Sequence, residues 1–67
     1  MLRFSLNGVQ HELAETLSVS ELLAEYGYAQ RRVAVEINHE IVPKSEHAKR
    51  QLHDGDRVEV VHAIGGG

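Results

Sequence analysis

The first fourteen residues leave little choice of local structure. Leu2, Phe4 and Leu6 alternate with Arg3, Ser5 and Asn7, and a period of two gives one apolar and one wet face, which is a strand. Asn7-Gly8 follows. Both residue types tolerate positive φ, as a type I′ hairpin turn requires. Val9, His11 and Leu13 then alternate with Gln10, Glu12 and Ala14. The chain therefore begins with a β-hairpin that has an apolar face to cover.

The next segment supplies the cover. Ser18 is followed three residues later by Glu21, a capping-box spacing in which each side chain satisfies a backbone N–H at a helix start. Val19, Leu22, Leu23 and Tyr26 fall at i, i+3, i+4 and i+7, so they share one helical face. Gly27 suits the left-handed position that ends a helix. The predicted helix is short, so its stability must come from packing that face on the sheet. Val33, Val35 and Ile37 then alternate with Ala34 and Glu36 as a third strand. Asn38-His39-Glu40 reads as a turn. Ile41-Val42 reads as a short strand ended by Pro43, which lacks the N–H of a central strand. Residues 44–51 are polar with room for one helical turn, and Leu52 is expected to plug the core beneath them. Asp54-Gly55-Asp56 reads as a turn, since Asp side chains bond their own backbone. Val58 and Val60 alternate with Arg57 and Glu59 in a last strand running towards Ile64. The order β-β-α-β-β-β gives an α+β fold: a mixed sheet of four to five strands with one helix on one face. The expected domain spans residues 1–64, with residues 65–67 as a flexible glycine tail.

Length and composition narrow the function. A chain of 67 residues buries only about 60% of the surface its unfolded form exposes. It has little room for a deep substrate pocket, so a scaffold that presents something to a larger partner is favoured over an autonomous enzyme. There is no cysteine, which excludes disulfides and thiol chemistry by this chain. No apolar run approaches the roughly 20 residues that span a membrane, and the start lacks the layout of a signal peptide. The expectation is a cytoplasmic protein with no membrane partner. A net charge of −3, with no basic stripe, argues against a nucleic-acid partner.

The chemistry-bearing feature is the run Gly65-Gly66-Gly67 after Ile64. Bare backbone can thread a channel that any side chain would block. The α-carboxylate of Gly67 would be ionised at neutral pH, with a reference pKa of about 3.3–3.7. A carboxylate resists nucleophiles until an oxygen becomes a leaving group, and the usual activation is an acyl-adenylate made from ATP. No GxxxxGK[ST] loop is present to hold ATP, so a partner must supply activation. The competing reading is that terminal glycines are simply flexible ends.

Three stretches together resemble a known family: Val33 to Lys44 with its Asn38-His39-Glu40-Ile41-Val42-Pro43-Lys44 run, Leu52 to Val61 with its Asp54-Gly55-Asp56 turn, and Gly66-Gly67. The likeness is to the ThiS family of sulfur carriers in thiamin biosynthesis, which have the β-grasp fold of ubiquitin-like domains. It extends over nearly the whole chain. His39 departs from the glycine frequent at that turn position, which leaves the turn type open. The resemblance implies that an adenylating enzyme of the ubiquitin-activating type uses ATP and Mg to adenylate Gly67. A persulfide-bearing sulfur donor then displaces AMP to leave a thiocarboxylate, which delivers sulfur to thiazole synthase. Gly65 and Gly66 would thread the partner's channel. The chain would bind no cofactor and would be a protein cosubstrate, not an enzyme.

The uncovered sheet face is the expected docking surface, with Arg57, Glu59 and Val61 as its candidates. Five histidines invite a metal reading, but the chain lacks cysteine and any His-x-x-x-His pair with a carboxylate partner, so no metal site is expected. Asp54 and Asp56 lack the further ligands of a calcium loop. Two alternatives stay open: a carrier for another sulfur acceptor (molybdopterin, tRNA thiolation or an amino-acid pathway), and a β-grasp interaction domain with an inert tail.

Overall fold

The computed structural model describes residues 1–62; the tail Gly65–Gly67 and the two residues before it lie outside the described residues. The elements are β1 (Leu2–Leu6), β2 (Val9–Leu13), α1 (Val19–Glu25), β3 (Val33–Ile37), β4 (Glu40–Val42), a 3₁₀ turn (Lys44–Glu46) and β5 (Asp56–His62). The strands form one mixed sheet in the order β2-β1-β5-β3-β4. β1 and β5 run parallel at its centre, and the other neighbours pair antiparallel.

The hairpin closes through Asn7 and Gly8 at φ 50° and 85°, with Leu6 opposite Val9. These are the two positive-φ positions of the type I′ turn. The capping box forms in full: Glu21 N donates to Ser18 Oγ at 3.1 Å, and Ser18 N donates to Glu21 Oε1 at 2.8 Å. At the other end Gly27 takes φ 87°, and Tyr28 N donates back to Leu23 O at 2.7 Å, the reversed bond of a Schellman ending.

The helix buries Val19, Leu22 and Leu23 against Leu2, Phe4, Leu6, Val35, Val58 and Val60 from the three central strands. Each large apolar side chain so buried contributes about 1.5–3 kcal/mol, which holds a two-turn helix that would not persist alone. Leu52 is buried beside them. Tyr26 is half-buried at the rim, its ring 6.3 Å from Phe4 and 4.9 Å from His11.

Four local features are fixed by the structure. Val9 belongs to the apolar alternation but is 58% exposed, because β2 is an edge strand and the short helix does not reach over its start. The Asp54-Gly55-Asp56 turn forms, with Gly55 at φ 90° and Asp56 N donating to His53 O at 3.0 Å, but Asp56 also opens β5 and is buried. Its carboxylate accepts from His53 N at 2.8 Å and Asn38 Nδ2 at 3.0 Å, and lies 3.7 Å from the Arg50 guanidinium. His47 is also buried, with Nε2 3.0 Å from Val42 O; the carbonyl can only accept, so Nε2 donates. The 38–39 turn is of the same two-residue kind as 7–8, since His39 adopts φ 70° after Asn38 at φ 53°.

Candidate docking face and tail exit

Side chains on β5 alternate between the two faces of the sheet. Asp56, Val58 and Val60 point under the helix, while Arg57, Val61 and the half-buried Glu59 lie on the other side. Cross-strand register places Ser5 beside Arg57, Glu36 opposite Glu59 and Ala34 opposite Val61. Ile41 on β4 lies beyond Glu36. This open face carries two well-exposed apolar side chains, Val61 at 57% and Ile41 at 62%, separated by the Glu36–Glu59 pair. Arg57 and Glu59 form an ion pair at 4.0 Å, an exposed kind that contributes about 0–1 kcal/mol. The three sequence-predicted docking residues therefore share one face, and their charges are free to meet a partner.

The end of β5 is built differently from its start. Pairing with β1 stops at Leu6–Val58, while pairing with β3 continues to Val33–His62. Where β1 ends, the Asn7 carboxamide substitutes for a strand: its Oδ1 accepts from Val60 N at 2.8 Å and its Nδ2 donates to Val60 O at 3.2 Å. β5 thus projects past its parallel neighbour, fastened up to His62. Around this end sit Arg31, whose guanidinium is 3.5 Å from His62 Nε2, and Tyr28, with ring centroids 6.2 Å apart from His62. The site glycines Gly65, Gly66 and Gly67 lie outside the described residues.

Among the described residues no nucleophile is paired with a base. A concavity of about 640 Å³ is lined by Ser5 and His11 among others. Yet Ser5 pairs across the hairpin with Gln10, while His11 stacks on Phe4 with centroids 5.4 Å apart. Hydroxyl and imidazole therefore lie on opposite faces of the sheet. No helix of the described residues is long and apolar enough to cross a membrane.

One group was missed by reading the chain linearly. Glu36, His39 and Glu59 each place a ligand atom within 4.8 Å of the others. Their spacing in the chain has no metal-site pattern, and only the β3–β5 register brings them together.

The fold, with a free sheet face and a last strand projecting at one end, defines a ubiquitin-like β-grasp domain. A crystal structure of a thiamine biosynthesis protein (ThiS) from Geobacter metallireducens superposes with a TM-score of 0.85 at 35% identity, covering 98% of this chain and 100% of that one. The ThiS family model matches residues 4–67, and the chain belongs to that family. The sulfur carrier protein ThiS of Bacillus subtilis is 40% identical over 53 residues, which is 79% of this chain and 80% of that protein. A thiazole synthase of Paramagnetospirillum magneticum is 44% identical over 66 residues, 98% of this chain. The chain spans 20% of the length of that thiazole synthase and of a second one, from Magnetococcus marinus, that is 36% identical.

Proposed function

We propose that the chain is a sulfur carrier of thiamine biosynthesis that works through the carboxylate of Gly67. A partner of the ubiquitin-activating type binds Mg-ATP and the carboxylate, whose oxygen attacks the α-phosphate and expels pyrophosphate. A persulfide sulfur then attacks the resulting acyl-adenylate and expels AMP. Cleavage of the S–S bond by a thiol leaves a thiocarboxylate on Gly67, and this is the sulfur source for thiazole synthase. The observation that carries the reading is the ThiS family match over residues 4–67, which takes in all three glycines.

The geometry supports a division of labour. Helix and core occupy one side of the sheet, leaving Arg57, Glu59 and Val61 available to a partner beside the projecting end of β5. The thiazole synthase relatives support the choice of acceptor. In them a segment like this whole chain makes up one part of a longer protein bearing that name, as suits a carrier that serves the enzyme it is joined to.

The test is intact-mass analysis of the 67-residue chain after incubation with an adenylating partner, Mg-ATP and a sulfur source. Exchange of one oxygen for sulfur at the C-terminus is expected, followed by its loss when thiazole synthase and its substrates are added. An unchanged mass under conditions where a known carrier is converted would reject the proposal. Conversion without transfer to thiazole synthase would redirect it to another acceptor.

A further inference from the structure

Glu36 and Glu59 face each other directly across the β3–β5 ladder, on the side of the sheet away from the helix. Like charges in directly opposed positions are destabilising, and both residues are half-buried, which limits relief by solvent. Arg57 reaches only Glu59, at 4.0 Å. The Glu36 carboxylate makes no hydrogen bond or ion pair with any described residue. The imidazole of His39 stands beside them, all three ligand atoms lying within 4.8 Å of one another.

His39 differs from the other four histidines. His11 stacks on Phe4, His47 is bonded to Val42 O, His53 Nδ1 is 3.3 Å from the Arg50 guanidinium, and His62 lies against Arg31 and Tyr28. Among the described residues only the His39 ring has no bond, ion pair or ring contact, and it occupies a left-handed position, φ 70°, that a glycine would take without strain. The turn that carries it is fixed: Asn38 N donates to Arg57 O at 2.8 Å, and Asn38 Oδ1 accepts from Arg57 N at 2.9 Å.

We propose that Glu36, His39 and Glu59 form a binding site for a divalent cation of the zinc class on the open sheet face. Two carboxylates and one imidazole suit zinc, cobalt or nickel. Magnesium and calcium take oxygen ligands, and soft-metal sites need thiolate or thioether. Zinc holds such ligands at about 2.0–2.1 Å, so tetrahedral donors lie about 3.3 Å apart, and these three start within 4.8 Å of one another. A cation there neutralises the opposed glutamates and employs the one unengaged imidazole. Three protein ligands leave a fourth position for water or for a donor from a docked protein. The site is independent of the sulfur-carrier reading.

The test is calorimetric titration of the tag-free 67-residue chain with zinc chloride, with the histidine and backbone NMR signals followed in parallel. One equivalent should bind, with the largest shifts at residues 36, 39 and 59. E36Q and H39G should each weaken binding by at least about tenfold, since even groups behind metal ligands matter tenfold to a hundredfold. H53Q should bind as the parent does. Both site variants should fold, E36Q being isosteric and H39G placing glycine at a positive φ. No heat up to millimolar zinc, parent-like binding by H39G, or shifts centred on another histidine would each overturn the proposal.

Discussion

His39 and Gly8 occupy equivalent places in two turns of the same kind, which makes the molecule its own control. Asn7-Gly8 sits at φ 50° and 85°, Asn38-His39 at φ 53° and 70°. A side chain in the left-handed region costs roughly 1–2 kcal/mol, and the 7–8 turn avoids that at its second position. His39→Gly, measured in chelator-treated buffer, is therefore expected to raise stability by about 1 kcal/mol after the greater freedom of the unfolded glycine chain is subtracted. An unchanged or lower urea midpoint would show that the histidine is held by a contact worth more than the strain. Ser18 makes the opposite case. Its hydroxyl accepts from Glu21 N at 3.1 Å, and it is buried, at 5% exposure. Ser18→Ala should cost about 0.5–2 kcal/mol, a visible loss in a domain expected to hold only about 5 kcal/mol in all. A normal melting temperature would mean that the Glu21 bond to Ser18 N alone caps the helix.

At the scale of elements, β5 is the strand that the rest of the sheet is organised to hold, and two asparagines from the two tight turns do much of the holding. Asn7 bonds both backbone groups of Val60, and Asn38 bonds both of Arg57. Asn7→Gly keeps the positive φ that the turn needs while deleting its two side-chain bonds. At roughly 0.5–1.5 kcal/mol per bond, a loss of about 1–3 kcal/mol is expected, with amide exchange accelerated most at Val60. Uniform acceleration along β5 would mean that the clamp is not local. What could be read from the chain follows the same division between near and far. The hairpin, the Ser18–Glu21 box, the helical face and the Gly27 ending are set by residues within a few positions of one another, so composition and period show them. The parallel pairing of β1 with β5 is not local, and neither is what depends on it. Asp56 was legible as a turn former because His53, which it bonds through both backbone and carboxylate, is three residues away, but its burial was not, because Asn38 is distant in the chain; nor was the burial of His47, whose partner is a backbone carbonyl, Val42 O. Glu36 and Glu59 could be assigned to strands, but their meeting needed the register. The docking residues Arg57, Glu59 and Val61 were legible as one face because alternation is again a local property.

For the whole molecule, the sheet divides stability from recognition. Among the described residues every core side chain, from Leu2 to Val60, belongs to the helix side or its flanks, so the open face can change with little cost to the fold. Reversing both charges at Arg57 and Glu59 keeps an ion pair possible and leaves the core untouched. It should slow adenylation by the partner while the melting temperature stays nearly constant, and normal adenylation by the double variant would remove the docking face from this strand. The glycines set a stricter condition under the proposed mechanism, in which the partner aligns the Gly67 carboxylate with the α-phosphate of ATP. Reacting atoms have to approach within about 3–3.5 Å, and one residue of extended chain is about 3.3–3.6 Å long. Deleting Gly67, or adding one residue after it, thus displaces the carboxylate by about the entire reacting distance, and either change should abolish thiocarboxylate formation. Gly66→Val leaves the carboxylate in register but puts a branched Cβ into a channel shaped for bare backbone, so it should fail for a separate reason. All three variants should melt with the parent, since each leaves every core residue of the described part unchanged. Intact mass after single-turnover incubation separates the outcomes. If the deletion variant accepts sulfur at its new terminus at the parental rate, the partner does not read the tail by position, and the registration account of how this carrier is charged falls.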